Sequence, residues 1–149
     1  IIYSIMNEET DINELLANAL NNDNNSNIME LTNSKIAQWK NDALQRLFLE
    51  RTKLKSFHKK LKEYKYVSDM SDLSYGHYIR WINLKDPENF KLTNGAIVCD
   101  IKVIKDKVQI ICKGGNRRIF QIKFDEVMIF QKITDQEKVL LSVLDYLNN

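Results

Sequence analysis

The sequence predicts an α+β chain in which long N-terminal helices lead into a small five-stranded antiparallel β-barrel closed by a C-terminal helix. Three observations predict it. Residues 34–66 contain no Gly or Pro and repeat apolar side chains at helical spacing. From residue 75 the period changes to alternation, with turn signals between the runs. Residues 134–147 return to the helical period behind a capping sequence.

Length limits the organisation, because 149 residues hold one domain with an appendage and not two full-sized domains. Apolar residues at 44% supply enough surface for a packed core, so wholesale disorder is not expected. No run approaches the ~18 apolar residues a membrane span requires, so no membrane partner is expected. The opening IIYSIMNEE lacks a basic n-region and a small-residue cleavage site, so no secretory signal is expected there; its start at Ile1 in place of Met leaves room for residues upstream. With only two cysteines, a disulfide framework is not the source of stability, and a reducing, intracellular setting is expected. The net charge of +2 conceals an asymmetry: residues 1–34 hold six acids and no Lys or Arg, leaving 22 basic against 14 acidic residues in 35–149.

Three regions follow. In 1–33, Ile12, Leu15, Leu16, Ala19 and Leu20 share one face of a short acidic helix, with Asp11 and Glu14 as its cap signal, and the Asn-rich stretch 21–27 is a linker. In 34–68, Ala43, Leu47, Leu54, Phe57, Leu61 and Tyr64 alternate steps of three and four, the a/d pattern of a coiled-coil seam. A helix over 34–66 would extend about 50 Å, too long for so small a domain to cover. Leu47, Leu54, Phe57, Leu61 and Tyr64 are therefore the candidate contacts to a protein partner or a second copy of the chain. The outer face is basic, since residues 40–65 hold nine Lys or Arg against three acids.

The β region, 75–149, begins with YGHYIRWINL at 75–84 and the loop KDPENFKLTNG at 85–95. In AIVCDIKVI, Ile97, Cys99, Ile101 and Val103 are expected to share a face; in KVQIICK, Val108, Ile110 and Cys112. These two strands form a hairpin turning at Lys105-Asp106. Gly114-Gly115-Asn116 turns the chain into RRIFQIKF, with Phe120, Ile122 and Phe124 inward, and EVMIFQKI at 126–133 is the fifth strand. Thr134 and Glu137 form a capping box for a helix with the stripe Val139, Leu140, Val143, Leu144 and Leu147. Five short strands, one long early loop and a closing helix resemble the SH3-like or Tudor-like barrel; an OB-type barrel or an open sheet packed on helices fits the same strand count.

Candidates for chemistry are few. Counting outward from a two-residue turn at Lys105-Asp106 sets Cys99 opposite Cys112, in a non-hydrogen-bonded pair about 4.5 Å apart at Cα, within reach of a disulfide. Two reduced core thiols are the reading that the reducing compartment favours. His58 and His77, the only histidines, lie in unrelated contexts, so neither a zinc site nor a nucleophile–base pair is expected. Gly114-Gly115 is a turn and no phosphate loop, and the adjacent acids Asp125 and Glu126 point to opposite faces of a strand. No catalytic residue, metal, cofactor or small-molecule substrate is therefore assigned. Tyr75, Tyr78 and Phe90 are candidates for an aromatic ligand site, with Trp81 assigned to the core. Lys105, Lys107, Lys113, Arg117 and Arg118, at the hairpin tips, are candidates for phosphate contact along a track continued by the basic helix.

The blocks YIRWINLKDP, LTNGAIVCDIKV and FDEVMIFQKITDQEKVLLSVLDYL are similar to small proteins encoded by large nucleocytoplasmic DNA viruses of the mimivirus type, and the Asn, Lys and Ile richness fits an AT-rich genome. The resemblance covers residues 75–149, includes no motif with a defined activity, and implies a virion or virus-factory protein. Taken together, the expected function is a non-enzymatic scaffold or capsid-associated assembly protein working through its long helix and barrel. A nucleic-acid-binding accessory protein is the competing expectation.

Overall fold

Where a single helix is expected over 34–66, the chain makes a helical hairpin and then a strand. The computed structural model describes residues 32–148, so the acidic helix expected over 11–20 and its linker lie outside the described residues. Helix α1 (Asn33–Gln45) ends in a turn at 46–48, α2 (Arg51–Lys60) follows, and β1 (Tyr64–Val67) begins four residues later. No Gly or Pro breaks the helix. Phe48 does, by adopting a left-handed backbone with φ of 51°. The flanking Leu47 and Leu49 both pack against the core, which a continuous helix would not allow, because residues two apart lie on different sides.

The remaining strands are β2 (Tyr78–Asn83), β3 (Ala96–Ile104), β4 (Lys107–Lys113), β5 (Ile119–Lys123) and β6 (Val127–Lys132), followed by helix α3 (Asp135–Asn148). They form one antiparallel sheet in the order β1-β6-β2-β3-β4-β5. The expected SH3-like or Tudor-like barrel is therefore not formed: the sheet is open, with six strands. The extra strand is β1, whose YKYV segment lay inside the expected helix. It pairs with β6 and occupies one edge, leaving β5 as the other. The open sheet is curled, since the rings of Trp81 on β2 and Phe120 on β5 approach to 5.9 Å between centroids although β3 and β4 lie between their strands.

The described residues fall into two units, 32–37 with 133–148, and 38–132. In the larger unit, one face of β1, β6 and β2 presents Tyr64, Phe130, Met128 and Ile82 to Ala43, Leu44, Phe57 and Leu61 of the hairpin and to Phe90 of the long loop. The other face gathers Val67, Ile129, Ile79, Trp81, Ala96, Val98, Ile110 and Cys112 beneath Leu73. The apolar residues expected to form a coiled-coil seam are thus core, contributed by three successive elements: Phe57, Leu61 and Tyr64 are buried, and Leu47 and Leu54 pack partly buried against them. With that stripe consumed internally, the premise for a coiled coil is lost. In the smaller unit, Ile36, Ile133, Leu140 and Leu141 form a cluster with Leu144 against it. The capping box closes reciprocally, Thr134 N–H donating to Glu137 Oε1 at 3.0 Å and Glu137 N–H to Thr134 Oγ1 at 3.1 Å. Val139 and Leu147 of the expected stripe are exposed, and Leu141 takes their place. Among the described residues no helix is long and apolar enough to cross a membrane.

The β3–β4 hairpin turns at Lys105 and Asp106 with φ of 51° and 64°, the left-handed pair that a two-residue type I′ turn demands. Pairing then proceeds in the expected register from Ile104↔Lys107 to Asp100↔Ile111 and slips by one: Cys112 lies opposite Val98 and not Cys99. Cys99 is the extra residue of a β-bulge. The slip reverses the facing of the earlier half of β3, so Ala96 and Val98 are buried while Ile97 and Cys99 are exposed, and Ile101 alone of the expected inward set packs on the core.

Candidate functional site

Helix α2 divides its side chains cleanly. Leu54 and Phe57, with Leu61 just beyond the helix end, recur at steps of three and four and turn into the core. Arg51, Lys55 and Lys59, spaced by four, form a row on the exposed side, about 6 Å apart along the axis. Lys60 and Lys62 are exposed beside it, and α2 itself contains no acid. The two lysines of its last turn, Lys59 and Lys60, suit the negative end of the helix dipole. No ion pair within the described residues engages Arg51, Lys55 or Lys59, whereas elsewhere ion pairs join Lys85 and Lys123 to Glu126, Lys102 to Asp100, Lys107 to Asp125, and Lys138 to Asp135, among others. The row is therefore a stripe of positive potential on a rigid support.

Its support comes from Lys40, which sequence reasoning passed over. This lysine is buried on α1, and its Nζ donates to the carbonyls of Leu61 at 2.9 Å, Tyr64 at 3.0 Å and Lys62 at 3.4 Å. It thereby caps the C-terminal end of α2 and joins it to α1. Burial pulls its pKa down, since the ammonium has surrendered water for three neutral oxygens. His58 stands nearby, Nε2 donating to Asn41 Oδ1 at 3.2 Å; its pKa is lowered by desolvation first and by the Lys40 charge second.

The tip residues do not form one track. Lys105 and Lys107 sit at one end of β4, and Lys113, Arg117 and Arg118 at the other, roughly 20 Å away along a seven-residue strand. Lys107 is held by Asp125 at 3.0 Å, a hydrogen bond that lowers the Asp125 pKa. Lys113, Arg117 and Arg118 are exposed, the last two on a turn where Asn116 and Arg117 take positive φ and Gly114 N–H donates to the Arg118 carbonyl at 2.7 Å.

Nor do Tyr75, Tyr78 and Phe90 converge on a cage. Tyr75 is exposed, Phe90 is core, and Tyr78 packs against that core with its hydroxyl donating to the Asn94 carbonyl at 2.7 Å. Asn94 is brought close by Gly95, whose φ of +100° and contact with the Ile79 carbonyl and the Tyr78 ring leave no space for a Cβ.

Reactive groups are likewise dispersed. Burial, and secondarily the neighbouring Cys99, push the Cys112 thiol up to about 12, so it stays protonated at neutral pH. His58 pairs with an amide and not with a nucleophile. Among the described residues no three His, Cys, Asp or Glu side chains are grouped to hold a metal.

The exposed aromatics include Trp39 on α1 and Phe48, exposed to 93% in the turn before α2. The sequence signal for Phe48 was an aromatic between two arginines in QRLFLER, masked by its apparent place inside a helix. Comparison with protein-family models, curated proteins and solved structures finds no match.

Proposed function

We propose that the chain is a non-catalytic nucleic-acid-binding accessory module whose docking surface is the outer face of α2. One observation carries the proposal: the apolar side of α2 is spent on the chain's own core, while Arg51, Lys55 and Lys59 line its exposed side with no acid in the helix. A row of cations at regular spacing suits a phosphate backbone, which is bound largely through counterion release. The patch Lys113, Arg117 and Arg118 offers a further contact of the same sign. The protein acts inside the cell, in a reducing compartment, a reading supported by its having only two cysteines in 149 residues.

The test is anisotropy of a fluorescent 20-nucleotide single strand, titrated across a salt series. Affinity is expected to fall linearly on a log–log plot, and the double variant Lys55→Ala, Lys59→Ala to flatten the slope by about 1.4, at ~0.7 per lost phosphate contact. Absence of binding at about 50 mM salt would reject the proposal.

A second reading, protein assembly, is favoured by a different observation. The outer strands β3–β5 leave one face uncovered, with Ile97, Ile104 and Ile119 exposed among Lys102, Lys113 and Lys123, and β5 an open edge. Ile97→Lys with Ile119→Lys should lower the solution mass by light scattering if this face associates. An unchanged mass leaves assembly without support.

A further inference from the structure

We infer that Phe48 is a stacking platform for an unpaired nucleobase, which gives the α2 surface a preference for single-stranded over duplex nucleic acid. The inference rests on the nucleic-acid reading above and goes beyond it by naming the form of nucleic acid and the residue that selects it.

Phe48 costs the fold something and returns nothing within the described chain. It closes the turn 46–48 that follows α1, with φ of 51°, a conformation that suits Gly or Asn and strains a bulky side chain. Its ring is 93% exposed, so the strain is not offset by burial. The turn is nonetheless well determined: Leu47 N–H donates to the Leu44 carbonyl at 3.1 Å, Phe48 N–H to that of Gln45 at 3.2 Å, and Leu47 and Leu49 anchor the turn by packing on the core. The backbone thus holds an aromatic ring out into solvent on a firm base. A strained residue at a well-determined position points to use rather than tolerance.

Its surroundings specify the ligand. Phe48 lies three residues before Arg51, so their Cα atoms are at most about 11 Å apart, at the head of the cationic row. Arg46 is engaged elsewhere, its guanidinium 5.4 Å from the centre of the Tyr66 ring. Glu50, the acid between Phe48 and α2, repels a phosphate at this turn, so phosphates belong on the Arg51–Lys55–Lys59 row and the base on the ring. Bases of a duplex are stacked and paired and cannot offer a face to a single exposed ring. Those of a single strand can.

The experiment compares the parent protein with Phe48→Gly and Phe48→Trp, using a labelled 20-nucleotide thymidine strand and a 20-base-pair duplex at one salt concentration. Phe48→Gly should weaken single-strand binding about 5- to 150-fold, the range for loss of one base–aromatic stack, and leave duplex binding within twofold. Phe48→Trp should retain single-strand affinity. Thermal unfolding supplies a readout of opposite sign: glycine relieves the left-handed strain, so the weakened binder should melt at a higher temperature than the parent. Unchanged single-strand affinity in Phe48→Gly overturns the inference while sparing the basic row, as does equal loss on both probes. A lower melting temperature, or a drop in solution mass with affinity intact, assigns Phe48 to structure or to a protein contact and also overturns it. No binding of the parent to either probe removes both the inference and the function it rests on.

Discussion

In β1, β6 and β2 both faces of the sheet are covered, one by the helical hairpin and the long loop, the other by Leu73 and the curled outer strands. In β3, β4 and β5 one face is covered and the other meets water, carrying Ile97, Ile119, Gln109, Gln121, Lys113 and Lys123. The same sheet is therefore a scaffold along one half and a surface along the other. Burying both faces removes freedom to vary, as in β6, where Met128, Ile129, Phe130 and Gln131 are successively buried. Leaving a face open releases it for contact, and Lys123 and Arg118, one at each end of the exposed edge strand β5, disfavour unwanted strand pairing.

The sharpest way to break this contrast is to truncate one residue in each half. Phe130, fully buried in the inner half, touches the ring of Tyr66 at 5.8 Å between centroids. Phe130→Ala should cost about 3–5 kcal/mol, the range for deleting a buried aromatic ring. Ile119→Ala on the outer half, where the side chain is 74% exposed, should change stability by no more than about 0.5 kcal/mol. Urea unfolding of the two variants checks both values, and comparable losses would show that the outer face is covered.

The contrast also explains what was legible in the sequence. The outer half repeats apolar and polar residues with period two, so β4 and β5 and their inward residues Ile110, Cys112, Phe120 and Ile122 follow from alternation, and the Lys105-Asp106 turn from its position between two such runs. Within β3 the alternation misled, because a one-residue bulge at Cys99 inverts the facing of everything before it, and no residue type announces a bulge. In the inner half the period itself was ambiguous. Tyr64 and Tyr66 continue a helical pattern as readily as a strand, and only pairing with β6 decides between them. The helix break was hidden for a related reason: the turn at Phe48 is imposed by Leu47 and Leu49 entering one core, against local propensity and without Gly or Pro. The basic character of α2 was legible from composition. That its leucines would be consumed internally was not, since it depends on the sheet they meet.

Lys40 offers a test of intermediate size within the covered half. Lys40→Met keeps most of the aliphatic stem and removes the ammonium that three carbonyls share. A charged donor is worth about 1.5–3 kcal/mol per hydrogen bond, but the Leu61 carbonyl also accepts from Tyr64 N–H, and relief of the buried charge offsets part of the loss. A net destabilisation of about 2–3 kcal/mol is expected by urea titration. The pH dependence has a definite sign. Because burial lowers the folded-state pKa below the ordinary 10.5, the unfolded chain binds the proton more tightly, and this group's contribution to stability rises with pH between the lowered value and 10.5. Lys40→Met should lack that rise.

The smallest effect, and the most diagnostic of the α1–α2 contact, lies in His58. Its folded-state pKa is lowered by desolvation and then by Lys40, so as pH falls through 6.5 the unfolded chain takes up the proton first and stability declines until the folded-state value is reached. The hydrogen bond to Asn41 survives protonation, because Nε2 is the donor in both the neutral and the cationic ring when the acceptor is the amide oxygen. Asn41→Asp changes the sign without changing the shape. A carboxylate in hydrogen-bond reach of the ring favours the imidazolium and raises its pKa above 6.5, so His58 then contributes stability that is fully present below 6.5 and is lost as pH rises through the raised value. Urea midpoints for the parent and Asn41→Asp, measured from about pH 5.5 to 7.5 to stay above the range where ordinary carboxylates titrate, should therefore move in opposite directions as acid is added. Parallel curves would mean that His58 and Asn41 do not meet in solution, and that α2 is held to α1 by Lys40 and the leucine core alone.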